Sequence, residues 1–188
     1  MVRTKYRQLS TAEERRHVVL ETAVRAFAER GYFGTTTANV AEQAGISQAY
    51  VYRLFPDKET LFVEVVEHCF ARIRQSFADG AAAARGDSPD AVLGAMGEAY
   101  ARLITDRDLL LLHMHAQCAG VAVPVILDAV RRGYAGLVEY VRGVSGASDS
   151  LVRDFFARGM LCHLVVATGA TQLDADWART LTAGIRHY

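Results

Sequence analysis

The chain is punctuated for helices from end to end, and nowhere does it alternate apolar and polar residues as a half-buried strand must. Ser10-x-x-Glu13 has the spacing of a capping box, in which each side chain satisfies the other's free backbone N–H. Behind it Leu20, Ala23, Val24 and Phe27 recur at helical spacing, an apolar stripe that Gly31 ends. Asp57 is placed to cap a helix running through Phe62, Val65, Val66, Cys69, Phe70 and Ile73. The stretch ADGAAAARGDSPD breaks that pattern, and Ser88-Pro89 restarts it as an N-cap followed by a first-turn proline. Further starts fall at Thr105-Asp106, at Pro124, at Ser148-Asp149 and near Asp174, while Gly143, Gly146 and Gly169 mark helix ends. The pattern predicts about nine helices and no strand pair, so the fold class is all-α.

Residues 36–55 divide into two short helices, roughly 37–44 and 47–54, joined by a turn at Gly45-Ile46. Ala41, Gly45 and Val51 stand where a helix-turn-helix requires them. A methyl lets the helices cross closely, glycine permits a positive φ, and an apolar side chain faces inward. Ser47 can cap the second helix. Stepping around that helix places Gln48, Tyr52, Ala49 and Arg53 within one arc of about 140°, with Val51 and Leu54 opposite and Tyr50 on the border. An amide, a methyl and a guanidinium suit base edges in a major groove, and a phenol suits phosphate. Pro56-Asp57-Lys58 then starts a helix whose first N–H groups, beside a lysine, form a candidate phosphate clamp. Thr35, Thr36 and Thr37 offer similar groups at the preceding helix start. The competing interpretation is a solvated helix face capped for stability alone.

Charge agrees with the first interpretation. Net charge is zero over the 188 residues. Residues 1–58 nevertheless carry nine Lys/Arg against six Asp/Glu, a net of +3, and the remainder carries twelve against fifteen, a net of −3. A positive head on a negative body suits a chain whose one end meets a polyanion. Three separated cysteines, Cys69, Cys118 and Cys162, make no disulfide framework, and their apolar helical contexts predict buried thiols. The basic, polar start has no apolar run behind it, and the apolar stretch 109–130 is interrupted by His113, His115, Gln117, Pro124 and Asp128. A cytoplasmic protein without membrane association is expected.

In these residues the sequence resembles the tetracycline-repressor (TetR) family of bacterial regulators. The resemblance covers roughly 10–73 and rests on Gly45, Ile46, Ser47, Tyr52, Phe55 and Lys58, with Glu59 and Leu61 continuing the pattern. It implies a three-helix DNA-binding head (1–56), a linking helix (57–79) and a helical body that binds an inducer and dimerises (80–188). It also implies phosphate contacts from Thr36, Thr37, Ser47, Tyr52 and Lys58, with Gln48, Ala49, Tyr50 and Arg53 facing bases of a double-stranded operator. Leu54 replaces an expected Tyr or His, and Tyr50 is bulkier than the usual Thr or Ser. Arg3, Lys5 and Arg7 form a basic arm that could enter a minor groove.

Within the body, polar side chains on apolar helices mark candidate ligand contacts: Tyr100, His113, Gln117, Tyr134 and His163, with Phe155 as a wall. Arg102, His115 and Arg158 are further polar candidates, and Met114, Phe156 and Met160 further walls. A mid-sized, largely apolar inducer fits such a lining, and no cofactor is implied. His113, His115, Cys118, Cys162 and His163 do not make a metal set, because His-x-His on one helix points the rings about 200° apart. No nucleophile elbow, phosphate-binding glycine loop or dinucleotide fingerprint is present, so an enzyme is not expected. Residues 149–170 are apolar around most of the circumference, which with a last helix over 174–188 predicts a homodimer seam. The expected function is a ligand-responsive transcriptional regulator, a repressor released from a palindromic operator by its inducer. A helical adaptor and a metal-responsive regulator without an organic ligand are the alternatives.

Overall fold

The computed structural model describes residues 12–184. Among them the order is α1 (Ala12–Gly34), α2 (Thr37–Gln43), α3 (Gln48–Leu54), α4 (Lys58–Ala82), α5 (Pro89–Leu103), α6 (Arg107–Gly120), α7 (Pro124–Ser145), α8 (Asp149–Thr168), a single 3-10 turn (Ala170–Gln172) and α9 (Asp176–Thr182). The described residues contain no strand. None of their helices is long and apolar enough to cross a membrane.

Helix starts are fixed by local side-chain chemistry. Thr36, Ser47, Asp57, Ser88, Asp106 and Ser148 each accept a hydrogen bond from the backbone N–H three residues on. That satisfies donors a helix start would otherwise leave unpaired. Pro89 and Pro124 occupy first-turn positions where no N–H is needed. The predicted Ser10 capping box and the basic arm at Arg3, Lys5 and Arg7 lie outside the described residues. Gly31 breaks α1 without ending it: its φ of 67° and ψ of −178° kink the helix, which resumes to Gly34. The last described helix starts at Asp176, two residues after the predicted start, with Arg179 paired to both Asp174 and Asp176, and the predicted stretch 185–188 lies outside the described residues.

One hydrophobic cluster runs through head and body, from Val19 on α1 to Val152 on α8. In the head, Val24, Phe27, Val40, Val51, Phe55 and Phe62 bring α1 to α4 onto a shared centre, each 3% exposed or less. The edge-to-face pair of Phe27 and Phe62 lies at its middle. In the body, α4 packs most extensively on α5 and α7, and α1 on α6. The crossing of α4 and α5 depends on Gly80, where a Cβ would stand 2.6 Å from the Ala95 carbonyl oxygen and 2.7 Å from Met96 Cα. Nothing larger than hydrogen fits there. A smaller cluster of Val165, Ala170 and Ala178 ties the end of α8 to α9.

Burial of the cysteines departs from expectation at one position. Cys69 is buried and Cys162 half-buried, but Cys118 is exposed. Nine residues after Leu109, Cys118 faces about 180° from the buried side of α6. An apolar context along the sequence did not specify which side packs.

Candidate functional site

Two regions concentrate chemistry: the outer face of α3 and a cavity inside the body. The turn between α2 and α3 is held by Gly45, at φ 65°, and by the Ile46 N–H donating to the Ala41 carbonyl at 3.0 Å. Only glycine takes that backbone conformation without strain. Val51 is fully buried against α1 and α2, which turns the opposite side of α3 outward. Ser47, Gln48, Ala49, Tyr52 and Arg53 are exposed there and Tyr50 is half-buried. Tyr50 Oη accepts a hydrogen bond from Arg15 at 3.4 Å.

Arg16 secures the far end of this helix. Its guanidinium donates to the Leu54 carbonyl at 2.7 Å, stacks 4.3 Å above the Phe55 ring and pairs with Glu64. It thereby joins α1, α3 and α4 at one point and satisfies a C-terminal carbonyl of α3.

The predicted phosphate contacts already have partners within the protein. Thr37 is 4% exposed, and its hydroxyl accepts from Gln48 Nε2 at 2.9 Å while donating to Tyr52 Oη at 3.0 Å. It is therefore not presented to a backbone from outside. It positions Gln48 and Tyr52. Lys58 is half-buried, with its ammonium donating to the carbonyls of Tyr32 at 3.0 Å and Thr35 at 3.3 Å and lying 4.3 Å over the Tyr32 ring. Carbonyls at the end of α1 attract the cation, which leaves one of its three N–H groups uncommitted. Thr36 is exposed but shares its hydroxyl with Asn39 in a capping box.

The cavity has a volume of about 500 Å³ and lies between α4, α5, α7 and α8, with His113 reaching it from α6. A volume of roughly 300–1,000 Å³ is usual for small-molecule sites. Of the predicted ligand residues, Tyr100, His113, Tyr134, Phe155 and His163 line it, as do Phe156, Met160 and Arg158. Gln117 does not: its amide donates to Tyr134 Oη at 3.1 Å and so holds that phenol in place from outside. His115 lies against Gly31 of α1, away from the cavity. Sequence reasoning missed Ile73 and Phe77 on α4 and the pair Gly94 and Gly97 on α5. The two glycines share one helix face, and a Cβ at Gly94 would meet nothing within 4 Å. Their spacing was the available signal for a hollow beside α5.

The polar atoms of the lining are unevenly satisfied. Tyr100 Oη is hydrogen-bonded to His163 Nε2. Neither ring nitrogen of His113 has a partner among the described residues, and neither has His163 Nδ1. Burial holds His113 far below the ordinary histidine range, at about 3, with the nearby His163 adding to the effect. Burial likewise lowers His163 to about 4 and raises Tyr134 to about 12. Tyr100 is raised further still, again chiefly by desolvation. At neutral pH the whole constellation is uncharged. Among the described residues no three His, Cys, Asp or Glu side chains converge in a way that would hold a metal ion.

Residues 19–65 match the family model for bacterial regulatory proteins, tetR family. Over 59 residues the chain is 41% identical to the nucleoid occlusion factor SlmA of Haemophilus influenzae (strain PittGG), spanning 31% of this chain and 27% of that one. Over 65 residues it is 38% identical to the HTH-type transcriptional repressor AcnR of Corynebacterium diphtheriae, spanning 35% of this chain and 34% of that one. The chain thus spans about a third or less of the length of these curated relatives. Its fold is similar nearly throughout to the transcriptional regulator FadR of Bacillus subtilis solved in complex with stearoyl-CoA. The TM-score is 0.70 at 14% identity, covering 89% of this chain and 94% of that one.

Proposed function

We propose that the chain, whose residues 19–65 match the family model for bacterial regulatory proteins, tetR family, is a ligand-responsive transcriptional regulator. It binds a palindromic operator as a homodimer and leaves it when a small molecule enters the body cavity. The observation that carries this reading is the outer face of α3, where Gln48, Ala49, Tyr52 and Arg53 stand exposed around a helix anchored by the buried Val51. Gln48 and Arg53 supply base-edge hydrogen bonds, Ala49 lies against a thymine methyl, and Tyr50 borders them. Ser47, Thr36, Tyr52 and the spare N–H of Lys58 hold phosphates. The working units are the head at 1–56, the linking helix at 57–79 and the body at 80–188.

Coupling follows from α4. Lys58, Leu61 and Phe62 seat its first turns in the head, while Ile73 and Phe77, further along the same helix, line the cavity. A ligand that packs better with α4 in one position shifts the spacing of the two heads toward that position. A ligand indifferent to the two positions does nothing. Repression, the action in the name of AcnR, is the sense proposed. The acyl-CoA bound by FadR is consistent with a body that holds a largely apolar molecule.

The deciding experiment is selection of bound duplexes from random DNA by the purified protein. A recovered palindrome with half-sites about 10 bp apart, bound with affinity that falls steeply as salt is raised, is the expected result. Recovery of no sequence, with no retention of duplex at low salt, removes the reading.

A further inference from the structure

The floor of the cavity presents an exact-count problem in hydrogen bonding. Tyr100 keeps its proton, and among the described residues the partner of its hydroxyl is His163 Nε2. A buried phenol proton without an acceptor is costly, so Tyr100 donates and Nε2 accepts. The remaining proton of the neutral His163 ring then sits on Nδ1, a donor with nothing to meet. His113 is 4% exposed, and its two nitrogens supply one further donor and one acceptor, both unpaired among the described residues. The two rings lie 5.1 Å apart between centroids, edge to face. Together they offer two donors and one acceptor. The two nitrogens of one imidazole point away from each other, so a single hydroxyl meets one nitrogen of each ring, accepting from His163 Nδ1–H and donating to the bare nitrogen of His113.

We propose that the cavity takes an uncharged aromatic alcohol, a phenol by preference, whose hydroxyl bridges one nitrogen of His113 and Nδ1 of His163. The proposal rests on the reading of this cavity as the regulator's ligand site and specifies what enters it. The walls suit the ring of such a molecule: Phe77, Phe155, Phe156 and Tyr134 line the cavity and already contact one another edge to face or tilted. The lining suits its lack of charge. Asp90, Glu98, Asp154 and Arg158 line the cavity, with Asp154 in an ion pair with Arg153. A carboxylate or phosphate that reaches the floor therefore meets two neutral imidazoles rather than cations. Suppression of His113 and His163 protonation by burial keeps that interior neutral in the physiological range. This chemistry separates the ligand from an acyl-CoA, whose phosphates have no cationic cluster here to receive them.

The test is calorimetric titration of the full chain with four matched probes: naphthol, its methyl ether, naphthalene and naphthoic acid. Naphthol is expected to bind about ten-fold or more tightly than each of the others, because they leave buried nitrogens unpaired or bring in a charge. His113→Phe and His163→Phe are each expected to bring naphthol and its ether to within about two-fold of one another while the ether's own affinity holds. The comparison of probes on the unaltered chain stands even where a variant folds poorly. Equal affinity for naphthol and the ether, or a preference for the acid, overturns the hydroxyl assignment and leaves the cavity as a ligand site. Binding of none of the four overturns the assignment and the ligand-site reading together. Probe binding that survives Gly94→Leu, which fills the hollow from α5, places the ligand elsewhere and overturns both as well.

Discussion

The Thr37 hydroxyl joins the two side chains on which the proposed base and phosphate contacts most depend, since it receives Gln48 and supports Tyr52 at once. Gln48 therefore leaves one hydrogen bond to make another when it turns to a base, and its contribution is a difference between two partners. Gln48→Ala is expected to cost about 1–3 kcal/mol on the selected operator and almost nothing on random duplex, as fluorescence anisotropy on both would show. Equal loss on both duplexes would remove the residue from base recognition. The two cavity histidines carry a prediction of a different kind. Each has a folded pKa below the unfolded value, so the unfolded chain takes up protons first as pH falls. The stability they confer by staying neutral is present above about pH 6.5 and drains away below it, toward the folded values. For His113 the loss at about pH 5 is on the order of 2 kcal/mol. Urea denaturation across that window should show a slope that His113→Phe flattens; an unchanged slope would mean the ring is solvated.

Helix α4 is where head chemistry and cavity chemistry share one element, so its start should matter beyond local stability. Asp57 accepts from the Thr60 N–H at 2.6 Å, and those backbone and side-chain bonds hold its carboxyl below the ordinary range. A carboxylate lowered in this way stabilises the fold above its ordinary pKa and ceases to as pH falls through the lowered value. Asp57→Ala is expected to cost about 1 kcal/mol of stability at neutral pH, read from urea midpoints, with the deficit shrinking in acid. Such caps were legible in the sequence because the partner lies three residues away. Val51 and the outward face of α3 were legible for a similar reason, since one turn of helix fixes them. The cavity was legible only in part. Ile73 and Phe77 have the same spacing as the rest of the α4 stripe, and nothing local separates a side chain facing a hollow from one facing a filled core. The partners of Lys58 and Thr37 were not legible because they come from elsewhere: the carbonyls of Tyr32 and Thr35 for one, and α3 for the other. Gln117 looked like a ligand contact because an amide on an apolar helix needs a partner, and Tyr134 turned out to be that partner.

Two heads must be held a helical turn apart for a palindrome to be read, and nothing within one chain can do that. The surface suited to the task lies at α8 and α9. Leu164 is 46% exposed and Trp177 48%, both beside the small cluster that joins these helices apart from the main core. Exposed large apolar side chains on two adjoining helices are more readily explained by a second copy than by water. The helices that line the cavity also approach this surface, since α8 contributes Phe155, Met160 and His163 to the lining. Ligand and partner would then press on one helix, so dimer geometry and occupancy are expected to be coupled. Leu164→Glu places a charge at the centre of the proposed seam without touching the cavity or α3, and burying it unpaired would cost at least about 2 kcal/mol per protomer. Light scattering should show the variant as a monomer at concentrations where the parent is a dimer, with circular dichroism unchanged. Its affinity for the full palindrome should fall to that for a single half-site, while half-site affinity stays where it was. A variant that remains dimeric and binds the palindrome as before would place the seam on another face, and α8 would then transmit nothing between the two cavities.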